Sequence, residues 1–467
     1  MTAAPPTYAT IDTVAEALAS GRTSSEALVA HQLARIDRFD AQLHAFFEVY
    51  AQDALQAARS LDAMRQAGYI LGPLHGVTVA IKDLFEIEGR AIAAGSAALP
   101  PRISRLGATV VERLRAAGAI VLGKTHTVEF AFGGWGTNAS MGTPWNPWDL
   151  QTHRVPGGSS SGSAVAVAAG LACAALGTDT GGSVRIPAGL CGLVGLKTTH
   201  GLISRHGLIE LCPTHDTVGP ITRSVRDSAL LLDVLAGPDP KDPATRQTPA
   251  PSALQGLGRS VEGLRLWVLP ESERQHVDAE VLHAYDRALG VFAELGFTLV
   301  QRPLPQSSVD AMHIAGQLMS AEGYAHLGSL FEREELRFDP HVKRRILLGR
   351  DIGAARYIGL LRERASAQAA MLEAMHGIDV CVFPTNPITA TSVREVDELA
   401  TPLSRFGRFV NLLNLCSVAV PAGLSAAGLP VSIQVIGRPF AEPLILRAAH
   451  AFEQATRWHE AVPQGLD

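Results

Sequence analysis

The sequence predicts a mixed α/β protein organised as one large domain, and three observations lead there. Short runs rich in Val, Ile and Leu alternate with longer stretches of helical periodicity. These alternating elements continue on both sides of a proline-rich segment, Gly237-Pro-Asp-Pro-Lys-Asp-Pro243 through Pro251, which reads as a surface crossing. No internal repeat divides the 467 residues, although length alone would accommodate two or three average domains.

In chain order, residues 8–68 read as helical. Thr23-Ser-Ser-Glu26 fits a capping box, and Val29, Leu33 and Ile36 recur on one helical face. From Gly76 the period becomes two, with Val77, Val79 and Ile81 alternating against Thr78, Ala80 and Lys82, so Lys82 is expected near the end of a strand. Thr109–Ala117 reads as a helix stopped by Gly118, followed by a buried strand at Ile120-Val-Leu. Phe130–Asn138 and Gly142–Pro147 are too rich in glycine and proline for a regular element and read as a long loop. Ser163–Leu176 is Ala/Val-rich on all sides and reads as one buried helix. Further strands are expected at Leu264–Leu269, Thr298–Gln301, Val380–Phe383, Ser417–Val420 and Val431–Ile436, with helices near 278–294, 307–376 and 442–456.

Bulk properties narrow the function classes. Forty basic and 45 acidic residues give a net charge of −5 without a basic footprint, which disfavours nucleic acid as a partner. Cys173, Cys191, Cys212, Cys381 and Cys416 are odd in number and lack the paired spacing of a zinc site or disulfide framework, so reduced core thiols are expected. No metal site is expected, since no His-Glu-x-x-His occurs. The N-terminal residues do not resemble a signal peptide and no 18-residue apolar run appears. A cytoplasmic protein without membrane contact is the expectation.

The chemistry concentrates in three segments: Val-Ala-Ile-Lys82-Asp, the serine-glycine run Gly157-Gly-Ser-Ser-Ser-Gly-Ser163, and Gly177-Thr-Asp-Thr-Gly-Gly-Ser183-Val-Arg-Ile-Pro187. Ser183 follows Thr180-Gly181-Gly182, where glycines allow a sharp turn that aims successive N–H groups at a carbonyl oxygen. The same residues would also make an ordinary serine-capped turn. Asp179 and Arg185 flank it with opposite charges and are expected to brace it. Lys82 alone would be a solvated strand-end lysine with a pKa of about 10.4. Gly158-Ser-Ser160-Ser-Gly162 matches Gly-x-Ser-x-Gly, which would make Ser160 the nucleophile of a Ser-His-Asp esterase. That elbow requires a preceding strand, whereas Arg154-Val-Pro-Gly-Gly reads as loop. His126, His153, His200, His206 and His215 lie nearby, none marked as the partner.

Together these segments resemble the two defining stretches of the amidase signature family. Gly76–Asp83, Leu122-Gly-Lys-Thr125, Asn146-Pro-Trp148, Cys191–Lys197, Gly428–Val431 and Gln434–Arg438 are similar too, so the resemblance spans most of the chain. It implies a single large mixed β-sheet core flanked by helices on both faces. The implied organisation is one domain over 1–467: helical region 8–68, catalytic core 69–236, proline-rich crossing 237–262, and a part over 263–467 that completes the sheet and covers the site. It also implies a Ser-cis-Ser-Lys triad of nucleophile Ser183, bridge Ser159 and base Lys82. The serines stand 24 residues apart, as in the family, which selects Ser159 over its neighbours. Thr180, Gly181 and Gly182, with Ser183, are the implied oxyanion donors. Ser161 departs from the pattern, which often has glycine there, and puts the local backbone in question.

The expected activity is hydrolysis of a carboxylic amide through an acyl-enzyme on Ser183, without a cofactor. A small-molecule amide is the expected partner, and homodimerisation stays open. An aryl or apolar acyl group would suit Phe132 and Trp135 if they line the pocket, although both could instead pack the core. Met312, Met319, Tyr324 and Arg333 belong to the stretch expected to cover the site. The competing role is the catalytic subunit of a glutamine-dependent tRNA amidotransferase; Ile186 argues against it, because that subunit usually carries glutamine there. A non-catalytic binding protein on the same fold is the remaining alternative.

Overall fold

A computed structural model describes residues 7–246 and 251–467. Its core is an eleven-stranded sheet. In chain order the strands are β1 (Phe46–Val49), β2 (Thr78–Lys82), the separate two-stranded ladder β3 (Ala91–Ile92) and β4 (Arg102–Ile103), β5 (Ile120–Thr125), β6 (Ala174–Asp179), β7 (Val194–Lys197), β8 (Thr217–Thr222), β9 (Arg265–Val268), β10 (Thr298–Val300), β11 (Val380–Pro384), β12 (Cys416–Leu424) and β13 (Pro430–Gly437). The sheet order is β1-β5-β2-β6-β8-β7-β12-β13-β11-β9-β10. Strands from before and after the proline-rich segment therefore share one hydrogen-bonded layer.

β2 is the strand that matters most. It runs parallel between β5 and β6, with Ile81 opposite Lys124 on one side and Leu176 on the other. Its side chains alternate between two cores: Val79 and Ile81 join one apolar cluster, and Ala80 joins the other. Val121 and Leu122 of β5 and Leu176 and Ala175 of β6 divide in the same way. Both faces of the sheet are thus dry and helix-covered, as a parallel centre requires because each face must be sealed from water. The helices Ser25–Leu43, Ala51–Gln66 and Ser161–Ala168 supply one layer; Val225–Leu235, Ala279–Glu294 and Glu442–Thr456 supply the other.

Three expectations change. The run Ser163–Leu176 is two elements: a helix over Ser161–Ala168, a turn through Gly170 at φ +68, and the start of β6. An apolar run without polar spacing carries no period that separates a buried helix from a buried strand. A short strand, β1, interrupts the helical region at 46–49 and pairs with β5 at the sheet edge. The cap of the helix Ser25–Leu43 is Ser24, whose hydroxyl accepts from Ala27 N–H at 3.1 Å, rather than Thr23. Helices at 308–331, 340–347 and 354–374 fill the expected helical stretch.

Candidate active site

Lys82 ends β2 and is fully buried. Its Nζ donates to Ser159 Oγ at 2.7 Å and to Thr178 Oγ1 at 2.7 Å. Among the described residues it forms no ion pair. Burial pushes its pKa down to about 7, opposed weakly by the negative charges of Asp216 and Asp179. Lys82 is thus not the solvated strand-end lysine that it would be in isolation, because β5 and β6 enclose the strand on both sides.

Ser159 follows a cis peptide bond from Gly158. Its carbonyl accepts from Thr127 Oγ1 (2.8 Å) and Val128 N–H (3.2 Å), which fixes the residue between the loop after β5 and Lys82. Ser160 is tied differently: its N–H donates to Ser183 O (3.2 Å), and its Oγ lies 3.3 Å from both the N–H and the carbonyl of Thr178. These bonds link the serine run to the turn that carries Ser183. Ser161 opens the following helix outside the left-handed region, so a side chain is accommodated where glycine was expected.

The Ser183 turn is held from below. Asp179 Oδ1 accepts from Gly182 N–H (2.8 Å), and Arg185 grips both carboxylate oxygens at 3.0 Å. Arg185 also reaches Gln434, Gly407 O and Asn411, so the expected brace extends into a buried network. The cation and these N–H donors hold the Asp179 carboxyl below the usual range despite its burial. Gly182 takes φ +113, open to glycine at low cost. Its N–H donates to Asp179 Oδ1. The N–H groups of Thr180, Gly181 and Ser183 find no partner among the described residues. Ser183 itself is buried to 6 % exposure.

Two residues without an assigned role complete this centre. Thr178 sits in the same segment as Ser183 and gives Lys82 its second hydroxyl. Asp216 accepts from Thr180 Oγ1 at 2.5 Å and from the N–H groups of Leu211 and Cys212; burial raises its pKa to about 6. Thr178 could have been found from its place in the motif, whereas no local pattern marks Asp216.

The other candidates separate from this centre. No histidine bonds Ser159, Ser160 or Ser183 among the described residues. His126 stacks on His44 at 3.9 Å, and burial lowers its pKa to about 3. His153 stacks on Trp145, His200 Nε2 faces Pro213 O at 2.8 Å, His206 N–H donates to Ser204 Oγ, and His215 Nδ1 meets Thr214 Oγ1 at 2.8 Å. The Ser-His-Asp arrangement around Ser160 consequently has no geometry, because the segment before Ser160 is loop and its hydroxyl is consumed by β6. Cys212, His215 and Glu322 gather within 4.8 Å, a set able to hold a metal, with Thr214 Oγ1 bonded between His215 and Glu322. All five cysteines are free and buried.

Beside the Ser183 turn lies a cavity of about 450 Å³ lined in part by Phe132, Met312, Arg345 and Arg408. Met319 Sδ lies 3.6 Å from where a Cβ on Gly181 would stand. Trp135 instead packs with Val155, Ile186 and Leu190, its Nε1–H donating to Ala400 O at 3.1 Å. Tyr324 lines a different cavity and Arg333 is exposed beside Glu335.

A large mixed sheet covered by helices, with a buried lysine–serine contact beside a glycine turn, defines an enzyme of the amidase class. Comparison makes this specific. A match to the Amidase family covers residues 27–446, and the chain belongs to the amidase signature family. It is 38 % identical over 476 residues to a subunit of the glutamyl-tRNA(Gln) amidotransferase of Geobacter metallireducens, covering 96 % of this chain and 98 % of that one. The peptide amidase of Stenotrophomonas maltophilia superposes with a TM-score of 0.85 at 30 % identity, covering 100 % of both chains. The corresponding amidotransferase subunit of Thermotoga maritima gives 0.80 at 33 %, covering 96 % of this chain and 95 % of that one.

Proposed function

We propose that this chain hydrolyses a carboxylic amide through an acyl-enzyme on Ser183, with Ser159 as proton bridge and Lys82 as base. The observation that carries the reading is a buried lysine whose side-chain partners are two hydroxyls, one of them Ser159. With its pKa near 7, Lys82 is substantially neutral at neutral pH. The Ser159 contact then reverses: the hydroxyl donates to the amine lone pair, while Thr178 Oγ1 still accepts an N–H and keeps the amine oriented.

Ser183 Oγ attacks the amide carbon as its proton passes to Ser159 and the Ser159 proton passes to Lys82. The carbonyl oxygen takes the negative charge, facing the N–H groups of Thr180, Gly181 and Ser183. Collapse breaks the C–N bond, and the relay in reverse returns a proton to the leaving nitrogen. Water repeats the attack on the ester and frees the acid.

A second reading gives the same centre to the glutamine-dependent amidotransferase role. Similarity to amidotransferase subunits supports it over a stand-alone amidase, whereas Ile186, packed against Gly182, Gly157 and Gly134, stands where that subunit usually carries glutamine. Purified protein assayed for ammonia release from glutamine and from aryl and aliphatic amides separates the two. Glutaminase activity above all other amides, or co-purifying partner subunits, favours the amidotransferase role. Near-normal turnover in Ser183→Ala overturns the acyl-enzyme itself.

A further inference from the structure

Arg408 is a half-buried cation without a counter-charge among the described residues. It sits in the helix Arg405–Leu412, directly after Gly407, whose Cα backs onto Gly182. Its side chain lies across the glycine turn: a Cβ on Gly181 would stand 2.9 Å from Arg408 Cγ and 3.6 Å from Nε. On its other flank a Cβ on Gly316 would stand 3.1 Å from Nη1. The guanidinium is therefore clamped between the Ser183 turn and the helix Ser308–Phe331, on the wall of the 450 Å³ cavity.

No described residue answers its charge. Arg408 has no hydrogen bond and no ion pair among the described residues, and its Nε is sealed from solvent without a partner. Burial lowers its pKa to about 10, and the charged group that adds to this is another cation, Arg345. The cavity's own carboxylate, Glu398, is already committed: Oε2 accepts from Arg345 Nη2 at 2.6 Å, and Oε1 accepts from Thr137 Oγ1. Arg344 adds a further positive charge to the lining. A sealed, unpaired N–H on a group that lines the cavity leaves hydrogen-bonding capacity that a ligand could satisfy. A planar, charged array of N–H donors beside the glycine turn matches a carboxylate in a way that an apolar acyl group does not.

We propose that Arg408 binds a carboxylate of the substrate, so that the amide cleaved at Ser183 belongs to an acid whose acyl chain ends in a second, ionised carboxyl group. This rests on the reading of Ser183 as nucleophile and narrows it, replacing the aryl or apolar acyl group expected from Phe132 and Trp135. Phe132 packs along the chain while Arg408 holds its end. Glutamine also carries a carboxylate, so both roles above are compatible with the site.

The test separates recognition from chemistry. Ser183→Ala protein is titrated calorimetrically with succinamic, glutaramic and adipamic acids, and with pentanamide, which replaces the carboxyl of glutaramic acid by a methyl group. At least one acid is expected to bind about 100-fold more tightly than pentanamide, the scale of a hydrogen bond to a charged group. Adding Arg408→Met cuts that advantage to less than about tenfold, and Arg408→Lys, which keeps the charge but not the planar fork, retains part of it. Acids that bind no better than pentanamide, or an advantage that survives Arg408→Met, overturn the proposal. The first comparison needs no change at Arg408, so a poorly folding variant does not protect the idea. Labelling of wild-type Ser183 by a neutral fluorophosphonate tests the nucleophile separately. An unlabelled Ser183 alongside intact carboxylate binding would overturn the proposed chemistry and uphold the recognition.

Discussion

The ends of β2 and β5 lie side by side and each buries a lysine, yet the two are built for opposite purposes. Lys124 on β5 meets Asp83 at 3.1 Å, and that carboxylate also accepts from the N–H groups of Ala93 and Gly95. Burial lowers the Lys124 pKa and raises that of Asp83, while their attraction opposes both shifts. Lys82, fully buried as well, meets only hydroxyls among the described residues. The strand environment is shared, and the partner decides the role: a carboxylate keeps a lysine as a charged strut, whereas hydroxyls leave it free to lose its proton.

The largest expected effect comes from removing the base. Lys82→Met should lower kcat/KM for the best amide by about 10⁴-fold, comparable with losses on removing triad members elsewhere. The inactive protein should unfold later than wild type at pH 7, because the desolvation cost disappears, a gain capped at about 4 kcal/mol at 1.36 kcal/mol per pKa unit. A lower denaturation midpoint would show that Lys82 is a strut like its neighbour.

Asp83→Ala gives the opposite result at the adjacent site. It leaves Lys124 buried and unpaired, and should cost about 3–5 kcal/mol, read as a fall in the denaturation midpoint. An unchanged midpoint would erase the distinction between the lysines.

The pH dependence should follow from Lys82 alone. Its neutral form is reactive, so kcat/KM should fall about tenfold per unit below pH 7 and level off above it. The folded-state pKa lies below that of the unfolded chain. Unfolded protein therefore holds the extra proton between about pH 7 and 10, and the Lys82 contribution to stability rises with pH through that window. A rate profile without a rising limb would remove Lys82 as the base.

The smallest effect is expected at Thr178. Thr178→Val deletes an acceptor that favours the ammonium form, a hydrogen bond worth about 1 kcal/mol. The rising limb should move to lower pH by less than about one unit. A shift to higher pH would mean that Thr178 favours the amine instead.

Much of this centre can be read from local pattern, because its parts are held within short segments. The two-residue alternation of Val77–Lys82 places the lysine at a strand end, and Thr180–Ser183 announces a tight turn. The Asp179–Arg185 brace follows from opposite charges six residues apart around that turn. Ser163–Leu176 resists the same treatment and is not the single helix its composition suggests, because an apolar run has no polar spacing to reveal its period. Trp135 and Phe132 look equivalent in one loop and both pack in apolar clusters, yet Phe132 also lines the 450 Å³ cavity whereas Trp135 packs with Val155, Ile186 and Leu190.

The sequence by itself determined the α/β class, the strand that carries Lys82, and the residue types able to exchange protons with an acyl group. Only the tertiary structure decided that Lys82 is dry and unpaired while Lys124 is dry and paired, and that Arg408 lies over Gly181. Composition and periodicity report which side chains share a face of one element. A buried charge takes its character from partners on other elements, and those are chosen when the sheet and its covering helices close.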